Sequence, residues 1–139
     1  MQRQSNRFAA DTENYMPTHY RDEFAREFPK IRTYGEDDLE WFNEGLALME
    51  AGKLVPAEAK FKQLILSQPS HPDGVKGLAR VYLKMGDGKK ALFFINEAIA
   101  MTEQLVKIGD SDPEILEMMN ELRSQIDRTQ LPPHPRTRG

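Results

Sequence analysis

Residues 41–52, "WFNEGLALMEAG", hold the strongest indication of how this chain folds. The apolar residues of this segment are spaced as in an amphipathic helix, yet Gly45 lies in the middle of the segment. A glycine inside a helix costs about 1 kcal/mol relative to alanine. Glycine has no side chain, so another segment of the same protein can approach its backbone closely. We therefore predict that a second helix packs tightly against Gly45.

The helical spacing continues on the carboxyl side of this stretch. Between Gly35 and Gln130 no strand-like alternation appears, and glycine or proline interrupts the pattern at "EAGK", "SQPSHPDG", "KMGDG" and "KIGDSDPE". This punctuation predicts five helices, over residues 37–50, 54–67, 72–84, 88–107 and 113–128. Their short connections predict antiparallel neighbours, so the fold class is all-α.

An internal repeat relates the first two helices to the next two. Gly52 and Gly86, 34 positions apart, each end the first helix of a pair. The same shift places small residues on small ones and large apolar residues mostly on large apolar ones, in the pairs Trp41/Val75, Gly45/Ala79, Leu48/Tyr82, Ala57/Ala91, Phe61/Ile95 and Leu64/Ala98. A 34-residue helix–turn–helix unit with this alternation resembles the tetratricopeptide repeat.

The resemblance implies two repeats, at residues 38–71 and 72–105, stacked as a short right-handed superhelix. It implies that a set of small and large apolar residues packs the helices together: Trp41, Gly45, Leu48, Ala57, Phe61, Ala79, Tyr82, Ala91, Ile95 and Ala98. Two positions depart from the family pattern. Glu44 replaces a leucine, and Glu103 replaces the proline that should close the second repeat, so we expect that helix to run on towards Lys107.

Segments on both sides of the repeats complete the predicted domain. The helix at 113–128 reads as a cap of the stack, because one side is charged and the other carries an apolar stripe of Ile115, Met118, Met119, Leu122 and Ile126. A stack normally needs about three repeats, so further apolar surface is expected from the N-terminal side.

The N-terminal side offers an additional helix in the extension at residues 18–34. Its aromatic stripe is Tyr20, Phe24 and Phe28, with Thr18 as a cap and Pro29 as the stop. Residues 1–17 are expected to form a flexible tail, 35–130 the repeat domain and 131–139 an extended proline-rich tail.

The composition argues against catalysis. The chain has no cysteine, its three histidines stand in separate segments, and neither a metal-binding helix pattern nor a phosphate loop is present. We therefore expect no catalytic residues, cofactor or metal, and no enzyme activity. A net charge of −3 gives no support to nucleic-acid binding. Without an apolar leader or a run of about 20 apolar residues, we expect a cytoplasmic protein that does not insert into a membrane.

A candidate binding groove follows from the resemblance, because the first helix of each repeat lines the concave face in this family. The corresponding positions are Leu39, Phe42, Leu46 and Met49 in the first repeat and Asp73, Lys76, Arg80 and Leu83 in the second, with Lys84 just beyond. The first half is apolar and the second carries a basic stripe. Two alternatives stay open: the N-terminal helix covers the apolar half, and nearby acids balance the basic stripe.

These features predict a protein–protein interaction module, a small scaffold or adaptor that binds a peptide segment of a partner. The partner would present apolar side chains to the first repeat and acidic groups to Arg80 and Lys84. Phe42 and Leu46 stand where carboxylate-clamp members of the family need polar residues, so that variant is not expected. The alternative is a dedicated subunit, assembly factor or chaperone of a larger complex, with tails that order on the partner. A homo-oligomer is compatible with the same features.

Overall fold

The computed structural model describes residues 19–33 and 38–130 of the chain. Every regular element in these ranges is a helix, which confirms the all-α prediction. The six helices are α1 (Tyr20–Glu27), α2 (Asp38–Glu50), α3 (Leu54–Ser67), α4 (Asp73–Met85), α5 (Gly88–Lys107) and α6 (Pro113–Gln130). The extension of α5 to Lys107, expected from the missing proline, is confirmed. Both predicted tails lie outside the described residues.

Helices α2 to α6 pack as sequential antiparallel pairs, as the sequence predicts. The first helices of the pairs, α2 and α4, also contact each other, and α6 packs against α5. This gives a layer of α2, α4 and α6 and a second layer of α3 and α5.

The ends of the first helices repeat the same backbone geometry. Gly52 has φ +79° and Gly86 has φ +83°, in the left-handed region that favours glycine. At Gly86 the amide bonds back to Leu83 at 3.0 Å, and the following amide bonds to Tyr82 at 2.9 Å. The equivalent bonds at Gly52 run to Met49 at 3.0 Å and, from Lys53, to Leu48 at 2.9 Å. The 34-residue spacing of these glycines therefore reflects two identical helix ends.

The close approach expected at Gly45 is made by the ring of Phe61, which is fully buried on α3. A Cβ atom at Gly45 would stand 2.6 Å from Cζ of that ring. On the other side, a Cβ at Gly77 of α4 would stand 2.4 Å from Cε1. The ring thus fills a space that two glycines on different repeats leave open.

Helix α1 packs on the second layer and not over the groove. Tyr20 and Phe24 are each 3 % exposed, and both rings pack against Phe94 of α5, with centroids 5.2 and 6.3 Å away. Lys62 of α3 lies 3.2 Å from Glu27 at the other end of α1. The alternative in which this helix covers the apolar half of the groove is therefore wrong, because its aromatic stripe bridges α3 and α5.

Two details of the predicted α1 also differ. Phe28 lies one residue beyond the helix and is only half-buried. The cap position is occupied by His19, which makes no side-chain capping bond; Thr18 lies outside the described residues.

Candidate protein-binding groove

Helix α2 carries the residues predicted to form the apolar wall of the candidate groove. Leu39 is 64 % exposed, and Phe42 and Leu46 are half-buried against the core. Met49 is 2 % exposed, so its side chain belongs to the core and does not line an open face. The wall on α2 therefore consists of Leu39, Phe42 and Leu46.

Helix α4 carries the residues predicted to form the floor of the candidate groove. Lys76 and Arg80 are half-buried and Lys84 is exposed, at successive four-residue steps along one side of the helix. Leu83 is half-buried and packs against the core.

Only part of this basic stripe has an acidic neighbour. The Lys76 ammonium lies 4.0 Å from the Asp73 carboxylate and 5.8 Å from the centre of the Phe42 ring. In the described part of the chain, no carboxylate lies within 4.0 Å of the Arg80 guanidinium or the Lys84 ammonium. Among the described residues, an acidic neighbour therefore balances Lys76 but not Arg80 or Lys84.

The second wall comes from α6 and was not anticipated as part of the groove. A cleft of about 270 Å³ separates α6 from α4 and is lined by Lys76, Arg80, Ile115, Met118, Met119 and Leu122. Met119 and Ile126 are buried, as expected of a capping stripe. Met118, by contrast, is 66 % exposed, which corrects its place in the predicted packing stripe.

A signal for this wall was present in the sequence. The apolar stripe of α6 holds two adjacent methionines, and adjacent residues point about 100° apart on a helix, so both cannot face α5. Ile115 and Leu122 are half-buried beside the cleft. The wall on α6 therefore consists of Ile115, Met118 and Leu122.

Most of the residues predicted to pack the repeats are buried. Eight of them are buried: Gly45, Ala57, Phe61, Ala79, Tyr82, Ala91, Ile95 and Ala98. Trp41 and Leu48 are half-buried, and the Lys60 ammonium lies 5.1 Å from the Trp41 ring centre. Gly74 and Gly77 were missed. A Cβ at Gly74 would stand 3.0 Å from the backbone nitrogen of Ile65, so α3 and α4 approach each other at backbone distance there.

The polar side chains offer no metal centre in residues 19–33 and 38–130. No group of three or more histidine and acidic side chains is arranged to hold an ion there. His71 lies 3.5 Å from Asp73, and both line a second cleft that shares Lys76 with the first. Among these same helices, none is long and apolar enough to cross a membrane.

Comparison with protein families agrees with the geometry. A sequence model described as "Tetratricopeptide repeat" matches residues 48–122, more than half of the chain. The chain belongs to the tetratricopeptide repeat family. No curated protein and no solved structure shows a significant match.

The matched tetratricopeptide repeat region begins inside α2 and ends inside α6. It includes the basic floor and the wall on α6 but begins after the wall on α2. Members of this family typically act as non-catalytic scaffolds, and no catalytic domain is found in the chain.

Proposed function

We propose that this tetratricopeptide repeat protein binds a peptide segment of another protein in the groove between the walls on α2 and α6. One observation carries the proposal: the exposed side chain of Met118 lines the same cleft as Arg80, whose guanidinium has no carboxylate within 4.0 Å in the described residues. An exposed large apolar side chain beside a cation that has no acidic partner among the described residues suits a ligand that carries both apolar and acidic groups.

The chemistry of the two walls and the floor defines the ligand. Apolar side chains of the partner would gain burial against Leu39, Phe42 and Met118, and methionine adapts its shape to different ligands. A carboxylate would form a charge-assisted hydrogen bond with Arg80, whose planar guanidinium can hold both oxygens at once. Apolar burial would supply affinity, and the charged contact would fix the orientation of the segment.

The test is photo-crosslinking from inside the groove. A photoreactive phenylalanine analogue replaces Met118 in one variant and Ala100, an exposed residue of α5 in the second layer, in the other. Both are irradiated in an extract of the native source. We expect defined partner bands from position 118 only, and we expect Arg80→Glu to remove them. Arg26→Glu, the same charge change on an exposed residue of α1, should leave them unchanged.

Two results would overturn the proposal. Equal crosslinking from positions 118 and 100 would show that the groove has no preference for partners. Bands that persist unchanged in Arg80→Glu would show that the basic floor takes no part in binding.

A further inference from the structure

The groove consists of three parallel rows of side chains with different chemistry. The central row is basic and lies on α4, at Lys76, Arg80 and Lys84. The row on α6 is apolar and lines one cleft with Lys76 and Arg80. The row on α2 is also apolar and meets the basic row at Phe42, whose ring centre lies 5.8 Å from the Lys76 ammonium. An occupant that uses all three rows must carry a matching acidic row between two apolar rows.

The shape of the occupant follows from this requirement. An extended segment places successive side chains on two opposite faces, so only one row of them would meet the groove. A helix turns by about 100° per residue, so residues on either side of an acidic position point towards opposite walls. Acidic residues at four-residue steps on a helix rise about 6 Å per step, and Lys76, Arg80 and Lys84 have the same sequence spacing and therefore the same rise along the axis of α4.

We infer that the occupant of the groove is an acidic amphipathic helix of another protein, lying along α4. Its carboxylates at i, i+4 and i+8 face Lys76, Arg80 and Lys84, and the apolar residues next to each carboxylate contact the walls on α2 and α6. The 13 residues of α4 limit the length of the contact to about three and a half turns. This inference rests on the proposed function and specifies the class of partner for the same groove.

The first step of the experiment is selection from a displayed library of random 16-residue peptides against the full-length protein. We expect the selected sequences to be enriched in aspartate or glutamate at four-residue spacing, with apolar residues at the adjacent positions. Selection against the Arg80→Glu variant should remove the acidic preference at the central position, whereas selection against Arg26→Glu should not.

The second step measures one selected peptide by calorimetry and circular dichroism. Binding should induce helix, and a proline placed in its centre, away from the acidic and apolar rows, should weaken binding about 100-fold. An alanine at the same position is the matched control and should leave the affinity within about threefold. Raising the salt concentration should weaken binding, because three ion pairs form at a partly exposed surface.

The outcomes distinguish the helical form of the occupant from the role of the groove as a binding site. Peptides that depend on Arg80 but tolerate the central proline and lack four-residue spacing would refute the helical occupant and leave the groove as the binding site. Peptides that bind equally well to Arg80→Glu would refute both. A library that yields no binder above background would count against both as well.

Discussion

The Phe61 ring packs between Gly45 and Gly77, so the effect of Gly45→Ala on the free energy of unfolding should depend on whether this ring is present. Gly45→Ala removes the helix cost of glycine, a gain of about 1 kcal/mol. The new methyl group would lie 2.6 Å from Cζ and 2.7 Å from Cε1 of Phe61. The ring cannot turn away freely, because Gly77 confines it on the other side. Overpacking costs about 1–3 kcal/mol, so the net change should lie between neutral and about 2 kcal/mol of destabilisation.

The same substitution should stabilise the protein once the ring is gone. The three Phe61 atoms nearest to a Cβ at Gly45 are Cζ, Cε1 and Cε2. A leucine at position 61 lacks all three atoms. In a Phe61→Leu background, Gly45→Ala should therefore keep its helix gain of about 1 kcal/mol without the clash. The coupling energy between the two sites should be about 1–3 kcal/mol.

Urea unfolding measured by far-ultraviolet circular dichroism and by the fluorescence of Trp41 provides the test, since Trp41 is the only tryptophan. Ala47→Gly, at an exposed position of the same helix, is the control and should cost about 1 kcal/mol in both backgrounds. A coupling energy below about 0.5 kcal/mol would refute the argument, because Gly45 would then be insensitive to the ring.

Three further predictions concern the helix ends and α1. Gly86→Ala should lower the free energy of unfolding by about 1–2 kcal/mol, because φ is +83°, although nothing lies within 4 Å of the added Cβ. An unchanged unfolding midpoint would contradict this prediction. Phe24→Ala should abolish hydrogen-exchange protection in α1 while α4 and α5 keep theirs, because an eight-residue helix is unstable without its docking surface. Equal loss of protection in all three helices would show that α1 does not undock on its own. Burial is the main cause that raises the pKa of Tyr20, with Arg21 opposing the rise and Glu97 adding to it, so Tyr20 should ionise at higher pH than in the unfolded chain. Its contribution to stability is complete below pH about 10 and is lost as the pH rises through the folded-state pKa; an ultraviolet titration should show a late tyrosine transition that Tyr20→Phe removes, and an unchanged titration curve in that variant would contradict the assignment.

The helices and their ends could be predicted because their causes are local. A left-handed glycine ends α2 and α4, and the replacement of proline by Glu103 lets α5 continue to Lys107. The repeat pattern also identified the contact at Gly45, because that contact joins the two helices of one repeat. Gly77 was missed for the complementary reason. Its contact with Phe61 joins different repeats, and the 34-residue shift places Gly77 on Asn43, which has no such role.

The position of α1 could not be predicted from its stripe. Tyr20 and Phe24 indicate that the helix buries one side, but not which surface receives it. The receiving surface is built by residues far apart in the sequence: Phe94 on α5 and Lys62 on α3. Because α1 packs on the second layer, it does not cover the candidate groove on the first layer.

The wall on α6 shows how a cap can also serve as a binding surface. Capping requires apolar contacts with α5, and the buried residues Met119 and Ile126 provide them. Met118 contributes little to that contact, since 66 % of it stays exposed beside the cleft that Arg80 lines. If α6 served only to cap the stack, a polar residue at 118 would be as good for folding and better for solubility. Met118→Gln should therefore leave the free energy of unfolding within about 0.5 kcal/mol of the parent value while it weakens peptide binding in the groove. A loss of stability of more than about 1 kcal/mol would instead assign Met118 to the packing of the cap, and the groove would then lose this residue from its wall.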